Sequence, residues 1–358
     1  MMQRSRPANY LAIYLAGVLS MFAINSSMAQ LAPSSADSTS ESGGDGAAKM
    51  LMRLLVGSSP GGGYDTYARL IAAHLPKGLP NSPRIIVQNM PGAGSLVVTN
   101  YLANIAPRDG SVIAAVHSLA ATHPLFYPDR AKYDSRTLMW IGSAVRETTF
   151  GLSSTAANVP AFKNVFQQDM IVAGGTGGST SFPNFLNAIL GTRFNIVKGY
   201  NGTSAALLAL ERGEVNGVIG VTGPGMRGLG DRLVEQGKAR VFLQFGMSRS
   251  ADHPTADWAF DYAERADQRV AMNLMFGTQE FGRPFVAPPG LSAANAQMLR
   301  AAFANILKND LLLDEAKKRK MDIGYTSPEE IDQIITSMHQ APPAAILLVK
   351  QLIGDQAQ

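Results

Sequence analysis

Gly57-Ser58-Ser59-Pro60-Gly61-Gly62-Gly63-Tyr64-Asp65-Thr66-Tyr67-Ala68-Arg69 decides how this chain folds. The run before it, Met50-Leu51-Met52-Arg53-Leu54-Leu55-Val56, is almost wholly apolar and reads as a buried strand. After it, Tyr67, Leu70, Ile71, His74 and Leu75 recur at the spacing of one helix face. Gly61, Gly62 and Gly63 therefore sit where a strand hands over to a helix. Glycine permits positive φ and lets a ligand approach bare main chain. A helix N-terminus adds unpaired N–H groups and the positive end of the macrodipole, a combination suited to an anion. The same residues also serve as a tight strand-to-helix turn with no ligand, and the stretch alone does not choose between the two.

Upstream, residues 1–29 have the build of a secretory signal peptide: Arg4 and Arg6, an apolar core over 11–24, and Ser27-Met28-Ala29 before Gln30. That core is too short for a membrane span. Residues 30–48 are Ser-, Ala-, Gly- and Asp-rich without apolar periodicity and are expected to be a disordered leader. The chain has no cysteine, which excludes disulfides, thiolate metal sites, a Cys nucleophile and a lipidated N-terminal Cys. Export without cysteine fits a bacterial periplasm. The formal charge of +4 lacks the basic stripe that nucleic acid demands. His74, His117, His123, His253 and His339 are dispersed and show no zinc-helix spacing, so no metal or cofactor is expected.

Downstream, strand and helix patterns alternate. Strands are predicted over 50–56, 84–88 and 111–116, with helices over 64–75 and 96–104, the second capped by Ser95. Short strands over 139–143 and 149–153 mark a crossover. The grammar then restarts with strands over 170–173, 194–198, 215–221 and 240–245. The helices between them cover 182–190, 205–212 (capped by Thr203 or Ser204) and 226–235. Residues 272–276 and 283–287 read as strands returning to the first unit, followed by helices over 293–307, 331–340 and 344–353. The expected fold is α/β with two lobes, each a mostly parallel sheet flanked by helices. The expected partition is 49–148 for the first lobe, 149–246 for the second and 247–358 for the return with its C-terminal helices.

In open α/β sheets, ligands bind beyond the carboxyl ends of the strands. Donors there would be main-chain N–H groups and the hydroxyls of Ser58, Ser118, Thr176, Ser179, Tyr200 and Thr203. Such a cleft suits a carboxylate without an arginine. No G-x-S-x-G elbow and no P-loop are present, and Gly175-Thr176-Gly177 breaks the dinucleotide pattern at Thr180. Asp65 reads as a first-turn carboxylate that complements the dipole and pairs backbone donors, rather than as a general base.

Pro60-Gly61-Gly62-Gly63-Tyr64-Asp65-Thr66-Tyr67-Ala68-Arg69 resembles the P-G-G-x-x-D-x-x-A-R start of tripartite tricarboxylate transporter substrate-binding proteins, the Bug or TctC type. Gln88-Asn89-Met90-Pro91-Gly92-Ala93-Gly94 is similar to their V-x-N-x-P-G-A-G turn, and Asp109-Gly110 to the step before their third strand. The resemblance covers about residues 50–353. It implies a hinge-closing, Venus-flytrap periplasmic binding protein that hands a small organic acid to membrane permease subunits. It also implies contacts from Ser58, Gly62, Gly63 and Ser118 in one lobe, and from Gly175, Thr176, Gly177, Ser179, Tyr200 and Gly202 in the other. The family's Asn and His are absent from 174–181, its Lys from 199–202, and Gly220 or Thr222 stands where members that bind amino acids carry an Asp. The expectation is a monomeric, non-enzymatic solute-binding protein for a carboxylate, working without nucleic acid. The alternatives are an exported hydrolase or isomerase using the same cleft, or an adaptor presenting its ligand to a sensor.

Overall fold

The computed structural model describes residues 51–157, 159–175, 178–200 and 202–353. The expected signal peptide and leader lie outside them. β1 (Leu51–Val56) leads through the glycine turn into α1 (Gly63–His74), and β2 (Arg84–Asn89), α2 (Leu96–Asn104) and β3 (Val112–Ala115) follow. After the short α3 (His123–Phe126) come β4 (Met139–Ser143) and β5 (Thr149–Ser154). The second half holds β6 (Met170–Gly174), α4 (Gly178–Leu190), β7 (Phe194–Lys198), α5 (Thr203–Glu211) and β8 (Gly217–Thr222). The turn α6 (Gly223–Gly225) and a kinked π segment, Met226–Gly230, precede α7 (Asp231–Glu235) and β9 (Ala239–Phe245). Then come β10 (Asp257–Trp258), α8 (Ala266–Phe276), β11 (Pro284–Ala287), α9 (Ala293–Ile306), α10 (Asp310–Lys318), α11 (Pro328–His339) and α12 (Pro343–Ile353). Among the described residues, no helix is long and apolar enough to cross a membrane.

Two mixed sheets result, of order β2-β1-β3-β11-β4 and β10-β9-β5-β8-β6-β7. In each, one strand runs against its neighbours: β11 in the first and β5 in the second. The remaining pairings are parallel. Strand alternation splits each sheet between two cores. In the first, Leu54, Val56, Ile113, Ile141 and Phe285 face α1 and α9, while Leu55, Val112, Ala114, Trp140 and Val286 face α2 and α11. In the second, Met170, Val172 and Ile219 join a phenylalanine cluster, while Leu152, Ala173 and Val218 face α5.

Several local expectations change. Residues 272–276 are helical, the end of α8, and pack in the second lobe's core. These five residues end a longer helical spacing that begins at Gln268, with Gln268, Ala271, Met272 and Phe276 all buried. β10 likewise pairs with β9 of the second sheet. Ser95 does not cap α2: it sits at φ 73 and makes no capping bond. α4 begins at Gly178, a turn earlier than predicted, and Gly202 rather than a hydroxyl residue stands at the N-cap of α5.

Two crossovers join the lobes: residues 144–148 between β4 and β5, and 277–283 between α8 and β11. They pair with each other through Ala144 N to Arg283 O (3.0 Å), Gly282 N to Val145 O (2.9 Å) and Glu147 N to Gln279 O (2.8 Å). The chain crosses again between α11, which packs on β4, and α12, which packs on α4 and α8.

Candidate functional site

The glycine turn is fixed by hydrogen bonds from three directions. A Cβ on Gly57 would lie 2.1 Å from the Ser95 hydroxyl, so the turn packs directly on that residue. Ser95 Oγ donates to Gly57 O (3.0 Å) and accepts from His117 N (2.8 Å), tying the ends of β1 and β3 together. Asp65, buried in the first turn of α1, accepts from Gly61 N, Arg69 Nε and Asn89 Nδ2, each at 2.8 Å. The Arg69 hydrogen bond is the largest influence holding its carboxyl down at about 2, with Gly61 and Asn89 adding to it against burial. One of the three donors, Gly61 N, is the backbone kind the sequence suggested, and the other two are side chains. Gly61 takes φ +78, a conformation that favours glycine.

In the second lobe, Gly175 N donates to Ser179 Oγ (3.0 Å) and Thr180 Oγ1 donates to Gly175 O (2.7 Å). A Cβ on Gly175 would lie 2.1 Å from Tyr200 O, so the two loops touch through bare backbone. Gly220, at φ +89, allows the same close approach to Gly178. Thr176 and Gly177 lie outside the described residues.

Between the lobes lie two hollows that share Glu147 and Thr222 in their walls. The larger, about 500 Å³, has Gly61, Gly63, Tyr67 and Asp322 on the first-lobe side, Thr222, Pro224 and Arg227 on the second, and Glu147 and Arg283 on the crossovers. The smaller, about 280 Å³, is polar at Ser118, Thr149, Ser181 and Gln279 and apolar at Phe182, Leu274, Met275, Val349 and Ile353. Of the contacts expected from sequence, Gly63 walls the larger hollow and Ser118 the smaller. Ser58 and Gly62 sit in the turn behind Gly63, with Ser58 Oγ buried and, among the described residues, without a partner. Gly175 and Ser179 are bonded to each other, Tyr200 turns its hydroxyl to within 3.5 Å of Glu214, and Gly202 leads into α5.

The charged residues of this cleft escaped the sequence reading, Arg283, Glu147, Arg227 and Asp322 among them. Arg283 pairs with Glu147 at 2.6 Å, its guanidinium 4.4 Å from the Tyr64 ring centre and 5.5 Å from that of Tyr67. Burial works to lower its pKa, but Tyr64 and Glu147 more than offset this, so the cation persists. Burial pushes Glu147 upward against the pull of Arg283. It also lowers His117 to about 4, helped by Arg283, leaving a neutral imidazole in the smaller hollow at neutral pH. Arg227 and Asp322 form an ion pair at 2.5 Å from one lobe to the other across the larger hollow. In the sequence Glu147 and Arg283 stand out only as charges beside predicted strands, and nothing sets Arg227 or Asp322 apart.

Two α/β lobes joined by paired crossovers, with a cleft between them, define a two-lobed binding protein. The family model described as "Tripartite tricarboxylate transporter family receptor" (TctC) matches residues 67–346. The chain belongs to this family of solute-binding receptors. A Cupriavidus necator protein described as "UPF0065 protein in gbd 5'region" is 25% identical over 297 residues, covering 79% of this chain and 82% of its own. A ligand-free TctC solute-binding protein from Polaromonas superposes with a TM-score of 0.66 at 19% identity, covering 84% of this chain and 97% of its own. An R. palustris protein with adipate gives 0.52 at 16% identity, covering 86% and 99%. At these identities the two structural likenesses speak for the fold.

Proposed function

We propose that this receptor works in the periplasm, captures a small organic carboxylate between its lobes and delivers it to the permease subunits of a tripartite tricarboxylate transporter. One observation carries the ligand class: the glycine turn opens the N-terminus of α1 onto the interlobe cleft, with Gly61 and Gly63 in its wall. Adipate in the R. palustris relative agrees with this reading. The proposed contacts are Ser58, Gly62, Gly63 and Ser118 from the first lobe, and Gly175, Thr176, Gly177, Ser179, Tyr200 and Gly202 from the second. A ligand touching both lobes stabilises the closed form by its differential affinity for that form, and no covalent chemistry is required.

A thermal-shift screen of succinate, adipate, citrate and benzoate tests the proposal, with phosphate and glucose as the contrasting classes. An acid at about 100 times its Kd should stabilise the protein by roughly 2.7 kcal/mol. Recovery of that acid unchanged by mass spectrometry distinguishes a receptor from an enzyme. A shift with phosphate or glucose and none with any acid would refute the ligand class.

A further inference from the structure

The paired crossovers carry ionic contacts on two faces. Arg146 reaches away from the ribbon to Glu280 (2.9 Å) and Glu330 (2.6 Å), tying both crossovers to the start of α11. Glu147, its neighbour, stands in the walls of both hollows and meets Arg283 in the larger one. Arg146 and Glu147 both wall the larger hollow, but the partners of Arg146, Glu280 and Glu330, are not among its walls, whereas both members of the Glu147–Arg283 pair line it.

Arg283 is only partly used by the protein. Its Nη1 donates to Gly282 O (2.7 Å) and pairs with Glu147 Oε1 (2.6 Å). Its Nε is buried and, among the described residues, has no partner. Nη2 lies 3.5 Å from where a Cβ on Gly63 would stand, beside the N-terminus of α1. The tyrosine rings of α1 hold the guanidinium in place. Glu147 therefore engages the fork through one nitrogen. A free carboxylate can take two parallel N–H bonds from the same fork and gain the α1 dipole as well, which is the stronger arrangement.

We propose that Arg283 is the ligand's cationic partner and that Glu147 is an internal place-holder, which the ligand's carboxylate displaces from the guanidinium. This rests on the carboxylate reading above and adds its specificity element. Because Glu147 and Arg283 lie on different crossovers, the exchange alters the tie between them on the cleft face alone. The Arg146–Glu280 tie remains, so the hinge stays joined while its ligand-facing contact changes. A ligand without an anionic group cannot make this exchange.

The test is the affinity, by isothermal titration calorimetry at pH 7.5, of whichever acid in the screen shifts the wild-type protein most. Glu147→Gln removes the competitor and should tighten binding about tenfold, the factor by which a tenth-populated free fork lowers apparent affinity. Arg283→Gln should weaken binding by more than tenfold. A merely structural pair predicts otherwise, since both substitutions would then loosen the hinge and weaken binding alike. Equal losses, or no change in either variant, overturn the place-holder role while leaving the carboxylate reading intact. If phosphate or glucose binds the wild-type protein and no acid does, both fall. Should Arg283→Gln fail to fold, Arg283→Lys keeps the charge without the fork and should show a smaller loss in the same direction.

Discussion

Replacing Asp65 by Asn should destabilise the first lobe near neutral pH and progressively less in acid. Asp65 is 2% exposed and accepts three hydrogen bonds, from Gly61 N, Arg69 Nε and Asn89 Nδ2. Its carboxyl falls from 3.8 to about 2 in the folded protein, a shift equivalent to about 2 kcal/mol at ~1.4 kcal/mol per unit. The protein cover over this loop is thin, since its partner Arg69 is 49% exposed, so solvent screening reduces the figure to about 1–2 kcal/mol. Asparagine keeps one oxygen but turns an amide N–H₂ against one of three donors, losing a charge-assisted bond. Because the folded pKa is depressed, this stability is fully present above the unfolded value near 4 and is lost as pH falls through about 2. Urea unfolding at pH 7 and pH 2.5 reads the effect. Trp140 and Trp258, the two tryptophans, lie in the first and second lobes and report them separately once the other is changed to Phe. The Trp140 transition should move to lower urea at pH 7, and the gap between wild type and variant should shrink to about a third at pH 2.5, where the folded carboxyl is still mostly ionised. A deficit of equal size at both pH values would refute the linkage argument. No deficit at pH 7 would show that the loop does not depend on the carboxylate.

Phe276→Ala should cost the second lobe about 3–5 kcal/mol, read from unfolding at Trp258. The ring is fully buried against Phe182, Phe185 and Phe245 at centre distances of 5.1, 5.4 and 5.2 Å, and a loss below about 1 kcal/mol would mean that the cluster refills the cavity. Gly220→Ala forces a Cβ to within 2.8 Å of Gly178 C at a φ of +89 and should displace the loop at the start of α4. Acid affinity measured by calorimetry should fall more than tenfold, and unchanged affinity would take that loop out of the site. Ser327→Ala removes the hydroxyl that accepts from Glu330 N at 3.2 Å in a capping box and should cost about 1 kcal/mol in urea unfolding; no change would mean that water replaces the cap.

The parts of the fold legible in the sequence were those specified within a few residues. The β1-turn-α1 unit could be read because an apolar run, three glycines and a helical spacing follow one another without a gap. Ser327-Pro328-Glu329-Glu330 announced α11 for the same reason. Reading failed where the window was too short or the partner too distant. Residues 272–276, apolar but for Asn273, read as a short strand unless Gln268 is counted with them, and the amide of Gln268 serves Arg265 N and Ile189 O. Ser95 has the chemistry of a cap, yet the close approach of Gly57 and His117 gives its hydroxyl other partners.

The same distinction governs the cleft. Its glycines could be found from sequence, because positive φ and close backbone approach demand that residue type. Its charges could not, because Arg146 meets Glu280 only across 134 residues of chain, and Glu147 meets Arg283 through the same crossover pairing. A lone Arg before an apolar strand reads as a solvated strand end. It becomes a cleft cation only when antiparallel β11 enters the sheet from the second lobe and starts at the hinge. The reversed strand thus has a consequence beyond topology. A sheet whose strands all ran the same way would present only their carboxyl ends and following loops to the cleft. Reversing β11 brings an amino end there instead, and with it Arg283 beside the N-terminus of α1. The glycine turn provides a place for an anion, and the reversed strand adds a cation beside it.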